Sequence, residues 1–185
     1  TDMDNGASSY RRYRNGDEDA FRRIVEEYFD KLVFFIDRYV DDTAQSEDIA
    51  LDVFAWVCAN PGRYDYRVSL KTYLFMLGKS RALDYIRKRK RQKEIPLSEA
   101  ENLPAQTASL EDMLLTDLRK QAVNKALQQL GEELQVVVHL VYFEELSCKE
   151  AAKVLKKNTK QIYNLLYRAK SALRTILGKE GELLL

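Results

Sequence analysis

Apolar residues in this chain recur at intervals of three and four positions, the spacing that places them on one face of an α-helix. Glycine and proline, which interrupt helices, number only 7 and 3 among 185 residues. The pattern is clearest after Asp17, with Phe21, Ile24, Val25, Tyr28, Phe29, Leu32, Phe35, Ile36 and Tyr39. The spacing therefore predicts an all-α fold with almost no strand.

Capping and helix-breaking residues set the predicted helix boundaries. A short basic helix over 10–14 ends at Asn15-Gly16, and Asp17 is suited to cap the helix that follows it. Ser69 is a second suitable cap, ahead of a long helix. Further helices are predicted at about 44–59 after the Asp41-Asp42-Thr43 break, from 110 to 130 before Gly131, and from 132 to 143.

Charge is distributed unevenly along the chain and separates two bodies. Residues 1–93 carry a net charge of +2, residues 94–112 carry −5 and residues 113–185 carry +4, so the whole chain is at +1. The acidic stretch also holds two of the three prolines, which is typical of a linker. We predict two helical domains, at 1–93 and 111–185, joined by a linker at 94–110.

Residues 147–170 read as two short helices joined by a tight turn, the layout of a helix-turn-helix whose second helix enters the DNA major groove. In that second helix Ile162, Leu166, Ala169 and Leu173 are predicted to face the core. The outward set is Lys160, Gln161, Tyr163, Asn164, Tyr167 and Arg168, preceded by a cap at Asn158 or Thr159. Gln and Asn can pair with adenine, and Arg with guanine or phosphate. An amphipathic helical hairpin without a DNA role remains open.

Three further features of the first body have both a functional and a structural reading. The run 87–93 carries six positive charges, which suits phosphate binding or a solvated helix end. The loop 64–67 offers two tyrosines that could stack on unpaired bases or cap a core. The acidic residues Glu47, Asp48 and Asp52 could bind a basic partner or form a solvated face.

Signals for catalysis or cofactors are weak. The single histidine, His139, lies in an apolar segment and is expected to be packed in the core. Cys58 and Cys148 do not form a metal-ligand spacing and are expected to be free thiols of a reducing compartment. The sequence shows no glycine-rich phosphate loop, no signal peptide and no bilayer-spanning run. We therefore expect a cytoplasmic protein that is not an enzyme, binds no cofactor or metal and does not insert into a membrane.

Taken together, these segments resemble a bacterial sigma factor of the extracytoplasmic-function (ECF) type, over roughly residues 16–177. The first body resembles sigma region 2 and the second resembles sigma region 4. The matching segments are 16–21 for region 2.1, 46–54 for region 2.2, 69–74 with 82–89 for regions 2.3 and 2.4, and 126–130, 142–147 and 167–174 for region 4. Leu51 and Ser80 replace the glutamine and asparagine that are frequent in this family.

The resemblance implies three binding surfaces. Contacts to the clamp helices of core RNA polymerase are implied for Glu47, Asp48, Leu51 and Asp52. Contacts to the −10 promoter element are implied for Tyr64, Tyr66, Arg67, Lys79, Ser80, Asp84, Arg87, Lys88 and Arg91, with the loop 60–68 taking up a flipped base. Contacts to the −35 element are implied for Asn158, Lys160, Gln161, Tyr163, Asn164, Tyr167 and Arg168.

The function implied by this resemblance is binding of core RNA polymerase, through its clamp helices and flap, and recognition and melting of promoter DNA in double- and single-stranded form. An anti-sigma factor is an expected partner. Two alternatives stay open: a stand-alone helix-turn-helix transcriptional regulator, and a scaffold protein that makes no DNA contact. Because the net charge is close to zero, we expect the chain alone to bind DNA weakly.

Overall fold

A computed structural model describes residues 6–93 and 118–178, and the regular structure within these ranges is entirely helical. The predicted all-α fold is therefore confirmed. The chain divides into two compact units, residues 1–105 with 153–156 and residues 106–152 with 157–185. The predicted linker at 94–110 lies outside the described residues, as does the predicted helix start near 110.

The first unit is built from four helices: α1 (Ala7–Arg14), α2 (Glu18–Val40), α3 (Thr43–Ala59) and α4 (Leu70–Lys93). Helix α2 packs against each of the other three. Its predicted apolar stripe supplies the core, with Ile24, Tyr28, Leu32, Phe35 and Ile36 fully buried. Burial of this stripe is the main source of stability for the unit, because a fully buried large apolar side chain contributes about 1.5–3 kcal/mol.

The caps predicted for this unit are formed. Asp17 Oδ1 accepts a hydrogen bond from the Ala20 amide at 3.1 Å and begins α2. At the start of α4, Ser69 Oγ accepts from the Thr72 amide at 3.1 Å. Asp42, within the predicted break, caps α3 through the Gln45 amide at 3.1 Å. Each cap satisfies a backbone donor that the first helical turn leaves without an intrahelical acceptor.

A glycine lets α2 and α4 approach closely. A Cβ atom added at Gly78 would lie 2.8 Å from Leu32 Cδ1, closer than van der Waals contact allows. Gly78 is buried, and Leu32 is itself inaccessible to solvent. The crossing of the two helices therefore depends on the missing side chain at this position.

The second unit contains α5 (Leu118–Gln128), α6 (Glu132–Val138), α8 (Thr159–Leu177) and most of α7 (Cys148–Leu155), of which residues 153–155 are grouped with the first unit. Helix α8 packs against α5 and α6. Its core includes Ala126, Val137, Leu140, Ile162 and Ala169. Within the residues that are described, no helix combines the length and apolar character that crossing a membrane requires.

The helix predicted over 132–143 changes its geometry halfway. After Val138 the chain forms a π-helical turn, His139–Phe143, and the Glu144 amide donates to the His139 carbonyl oxygen at 3.0 Å. His139 is 8% exposed, with Nε2 3.4 Å from Glu144 Oε1 and its ring stacked on Phe143. The expectation that His139 is packed in the core is confirmed, while the widened turn is a feature that periodicity does not predict.

The predicted core face of α8 was wrong at one position. Leu165 is 5% exposed, whereas Leu166 is only half-buried. Ile162, Ala169 and Leu173 are buried as predicted. The buried residues of α8 are thus spaced by three, four and four positions, whereas the predicted ones were spaced by four, three and four. Both spacings fit one face of a helix. Packing against the neighbouring helices decides which leucine is buried.

Candidate functional site

The first candidate surface is one face of α3. Glu47, Asp48, Leu51 and Asp52 lie at positions i, i+1, i+4 and i+5, and all four are exposed. The other side of the helix carries the buried residues Ile49, Val53 and Val57. Leu51 is 53% exposed, which places an apolar side chain among three carboxylates. This arrangement suits a partner that offers cations around a small apolar contact.

One carboxylate of this face has a cationic neighbour on another helix. Asp52 Oδ2 lies 3.7 Å from the Arg81 guanidinium of α4, and the Asp52 side chain is 74% exposed. Exposed ion pairs of this kind contribute about 0–1 kcal/mol. Asp52 is therefore available to an external cation at little cost.

The loop between α3 and α4 corrects one predicted contact. Tyr64 is 2% exposed, and its hydroxyl donates to the Val68 carbonyl oxygen at 2.6 Å. Its ring packs edge-on against Tyr10 with centroids 5.3 Å apart. A base cannot stack on a ring that is buried on both sides, so we remove Tyr64 from the candidate DNA contacts and assign it to support of the loop.

Tyr66 is the tyrosine of this loop that reaches the surface. Its backbone is left-handed, with φ of 62°, an unfavourable conformation for a bulky side chain. Asp65 Oδ1 supports the bend by accepting the Arg67 amide at 3.1 Å, and Asp65 Oδ2 also pairs with the Arg67 guanidinium at 3.2 Å. Such strain persists only where the surroundings hold it, and it tends to occur at functional positions.

The predicted contacts on α4 form one exposed stripe. Ser80, Asp84, Arg87, Lys88 and Arg91 follow spacings of four, three, one and three, and all are exposed. Arg87 Nη1 lies 3.0 Å from Asp84 Oδ1, which offsets one of the positive charges. Lys79, next to this stripe, is half-buried. The stripe presents cations and two short polar side chains on one helical face, as a nucleic-acid backbone requires.

The helix-turn-helix comprises α7, a short turn and α8. The turn ends α7 with Lys156 in a left-handed conformation, φ of 55°, and the Lys157 amide donates to the Ala152 carbonyl oxygen at 2.9 Å. Glycine is the residue that usually occupies such a position. Ser147 and Glu150 cap the start of α7 reciprocally, a signature present in the sequence that our sequence analysis missed.

A salt bridge connects this turn to α6. Lys157 Nζ lies 2.8 Å from Glu133 Oε1. The hydrogen bond from Lys157 lowers the pKa of Glu133 against the opposing effect of partial burial, with a smaller contribution from the charge of Arg168. Glu133 therefore stays ionised beside the outward face of α8.

Five predicted contacts form the outward face of α8. They stand at positions i, i+3, i+4, i+7 and i+8, and Tyr167 is 77% exposed. All five side chains are exposed to solvent: Lys160, Tyr163, Asn164, Tyr167 and Arg168. The face combines two cations, an amide and two aromatic rings, which suits phosphate and base-edge contacts in a groove.

Asn158 and Gln161 play a structural part at the start of the same helix. Asn158 Oδ1 accepts from the Gln161 amide, and Gln161 Oε1 accepts from the Asn158 amide, both at 2.8 Å. In this capping box Gln161 Oε1 already accepts a hydrogen bond, and it is the oxygen that would accept from adenine in a bidentate pair. One lone pair of Gln161 Oε1 is thereby engaged, which restricts how the Gln161 amide can be presented to DNA.

An apolar groove lies in the second unit beside the π-helical turn. It has a volume of about 410 Å³. Tyr142 and Phe143 at its rim are 63% and 58% exposed, which is unusual for adjacent aromatic residues. The groove is lined by Val123, Leu127, Val138, Tyr142, Phe143, Leu166, Ala169, Lys170 and Leu173.

Two family models match separate segments of the chain. Residues 24–92 match the family model for sigma-70 region 2, and residues 120–173 match that for sigma-70 region 4. The ECF RNA polymerase sigma factor BldN of Streptomyces coelicolor is 27% identical over 172 residues, which are 92% of this chain and 65% of BldN. SigW of Bacillus subtilis, also an ECF RNA polymerase sigma factor, is 25% identical over 89% of this chain and 92% of its own length.

The fold has a counterpart among solved structures. The sigma factor RpoE of Bartonella quintana, solved with the anti-sigma factor NepR, superposes with a TM-score of 0.60 at 22% identity, covering 85% of this chain and 96% of that one. With both family models matched in order, the chain belongs to the sigma-70 family, in its ECF group. It is a sigma factor, which binds RNA polymerase and directs transcription initiation.

Proposed function

We propose that this sigma factor binds core RNA polymerase mainly through the α3 face of Glu47, Asp48, Leu51 and Asp52. The observation that carries the proposal is that these four side chains share one exposed face while the residues between them are buried. Complementary charge around an apolar contact provides orientation and fast association. The clamp helices of the polymerase are the partner that we assign to this face.

Promoter contacts are divided between the two units. We assign duplex −35 DNA to the outward face of α8, where Lys160, Asn164 and Arg168 supply phosphate and base-edge contacts. We assign the −10 element, melted during initiation, to the α4 stripe and to Tyr66. Removing a base from its stack costs a few kcal/mol, which aromatic and cationic contacts to the melted strand must offset.

The apolar groove of the second unit is a further candidate for protein binding. Exposed Tyr142 and Phe143 are residues of the kind that anchor interfaces. We assign this groove to the flap of the polymerase and, in the inhibited state, to an anti-sigma factor. The RpoE structure of Bartonella quintana contains such an inhibitor, NepR, which supports an anti-sigma factor as a partner here.

Capture of core RNA polymerase by the full chain tests this assignment. The double variant Asp48→Lys/Asp52→Lys reverses two charges on the α3 face, and we expect capture to fall at least tenfold. Asp19→Lys/Asp30→Lys is the matched control, because both residues are exposed carboxylates on α2. Equal loss in both pairs, or full capture by the α3 variant, would contradict the α3 assignment.

The same capture assay also tests the groove. Tyr142→Ser/Phe143→Ser is expected to weaken capture less than the α3 charge reversal does, because the main contact is retained. Unchanged folding of α7 and α8 by hydrogen exchange is the required control. If Tyr142→Ser/Phe143→Ser captures the polymerase as well as the parent does, the assignment of the groove to the flap is wrong.

DNA binding without polymerase separates this proposal from a stand-alone regulator. The chain alone is expected to bind duplex DNA weakly at physiological salt, and Arg168→Ala and Asn164→Ala should reduce promoter binding by the complex. Nanomolar binding of a palindromic duplex by the free chain would favour the regulator.

We further propose that the chain has no catalytic site of its own and acts in the cytoplasm, where the polymerase works on the genome.

A further inference from the structure

A second cationic site, besides the α4 stripe, lies at the end of α1. It is an open cavity of about 420 Å³, lined by Arg11, Arg14, Asn15 and Tyr66. The first three residues stand at positions i, i+3 and i+4, so their side chains share one face of the helix end. None of the four is buried.

Among the residues that the structure describes, the two arginines of this cavity differ from Arg12 and Arg67 in having no acidic partner. Arg12 is paired with Asp17 at 2.6 Å, and Arg67 is paired with Asp65 at 3.2 Å. Neither Arg11 nor Arg14 makes an ion pair within the described part of the chain. The described residues therefore leave the two positive charges of the cavity uncompensated.

Tyr66 orients one of these charges. The Arg11 guanidinium carbon lies 5.0 Å from the centroid of the Tyr66 ring. A guanidinium held against an aromatic face keeps its N–H groups directed outward from its edge, where they can grip an oxyanion. The amide of Asn15 makes no hydrogen bond through its side chain in the described residues, and it adds a third donor.

A buried core residue, Tyr10, holds the two elements that form the cavity. Tyr10 precedes Arg11, is fully buried and lies with its hydroxyl 3.3 Å from the Val57 carbonyl oxygen. The Tyr10 ring also contacts Tyr66, with centroids 6.4 Å apart. Helix α1 and the Tyr66 loop are thus held against the same side chain, so the backbone positions that carry the donors are set before any ligand arrives.

We propose that this cavity binds a backbone phosphate of single-stranded DNA, gripped by Arg11, Arg14 and Asn15, next to a base that contacts Tyr66. The proposal deepens the proposed function, on which it rests, by adding α1 to the surface that holds the melted strand. Two arginines and an amide match the several acceptor oxygens of a phosphate, and the adjacent ring favours a strand with unpaired bases.

The test compares full-length Arg11→Gln/Arg14→Gln with the parent chain. Binding of a fluorescein-labelled 20-nucleotide single strand of mixed sequence is followed by anisotropy from 20 to 200 mM NaCl. Each phosphate contact on a single strand contributes about 0.7 to the slope of log K against log salt. We expect the slope to shrink by about 0.7 and the affinity at 20 mM NaCl to fall roughly three- to tenfold.

The matched control is Arg22→Gln. Arg22 is an exposed arginine of the same unit, 3.3 Å from Asp19 on its own helix, so the substitution removes a charge outside the cavity. Its slope should equal that of the parent. Equal slopes for the Arg22 variant and the double variant would overturn the proposal, as would failure of the parent to bind the single strand at 20 mM NaCl.

A free phosphate ion could occupy the same cavity in place of a phosphate of the DNA backbone. Inorganic phosphate at 10 mM, with ionic strength held constant by NaCl, should leave the difference between parent and double variant unchanged. Loss of that difference would mean that free phosphate competes with the strand for the cavity. Phosphate binding that differs between parent and double variant, with equal strand binding by the two, would assign the cavity to free phosphate and overturn the DNA proposal. Capture of RNA polymerase by the parent chain is measured in a separate experiment. Failure of that capture would contradict the proposed function, whereas equal salt slopes would contradict only the phosphate site.

Discussion

The two units position their exposed polar residues by different physical means. In the first, α1 and the loop after α3 are held by tyrosines far apart in the sequence, such as Tyr10 against Tyr64 at 5.3 Å. In the second, each helix of the helix-turn-helix begins with reciprocal capping between residues three positions apart, Ser147 with Glu150 and Asn158 with Gln161. The first surface therefore depends on tertiary packing, and the second depends largely on local capping.

This difference sets how strongly a single substitution should act. Deleting a large buried aromatic ring costs about 3–5 kcal/mol, because the core loses its contacts and retains a cavity. Deleting one helix cap costs about 1 kcal/mol. The first surface should be disrupted by one core substitution, and the second should survive the loss of one cap.

The largest expected effect is that of Tyr10→Ala. Tyr10 is fully buried, and its ring contacts Tyr13, Tyr64 and Tyr66. We expect a loss of about 3–5 kcal/mol from the first unit. Hydrogen exchange read separately for α1–α4 and for α7–α8 is the measurement, since one global unfolding curve need not describe two domains.

The conservative variant Tyr10→Phe tests the cause of that loss. It keeps the ring and removes only the hydroxyl, so about 1 kcal/mol should be lost. Amide hydrogen exchange in α7–α8 should be unchanged in Tyr10→Ala. If it accelerates as much as in α1–α4, the loss of the ring destabilises both units and the contrast drawn between them is wrong.

The second largest effect is a loss of stability at alkaline pH. Burial, with help from the neighbouring Tyr13, raises the pKa of Tyr10 to about 12, whereas an unfolded tyrosine ionises near 10. The stabilising contribution is complete below pH 10 and is lost as pH rises through 12. On the order of 2–3 kcal/mol should disappear over that range. Urea unfolding of the first unit between pH 9 and 12 measures it.

Tyr10→Phe is again the matched control, because it removes the titrating group and retains the ring. Its stability should fall less steeply above pH 10 than that of the parent. Parallel curves for the two proteins would mean that another group causes the alkaline loss.

The smallest effect is expected from Asn158→Ala. This variant removes the side-chain oxygen that accepts the Gln161 amide at 2.8 Å, at a cost of about 1 kcal/mol. Hydrogen exchange should rise in the first turn of α8 and stay unchanged in α1–α4. Asn158→Asp retains an acceptor and should preserve the cap, so similar losses in both variants would argue against the cap as the cause.

The reliability of the sequence-based expectations follows the same contrast. Asp17 and Ser69 are caps whose donors lie three residues away, and a local signature was enough to predict both. For α8 the same signature left Asn158 and Thr159 open, and Asn158 is the cap. For Tyr64 the sequence left base stacking and core capping open, and the family resemblance implied a DNA contact. Nothing within the loop indicates that its ring lies against Tyr10, more than fifty positions earlier.

The sequence by itself determined the helical class, the main helix boundaries and the outward faces of α3 and α8, because periodicity and capping are local properties. Only the tertiary structure decided that Leu165 is buried more fully than Leu166, that Tyr64 supports the loop while Tyr66 reaches the surface, and that Arg11 and Arg14 share a cavity with Tyr66. Those outcomes depend on which distant side chains fill the same space, and spacing along one helix carries no information about them.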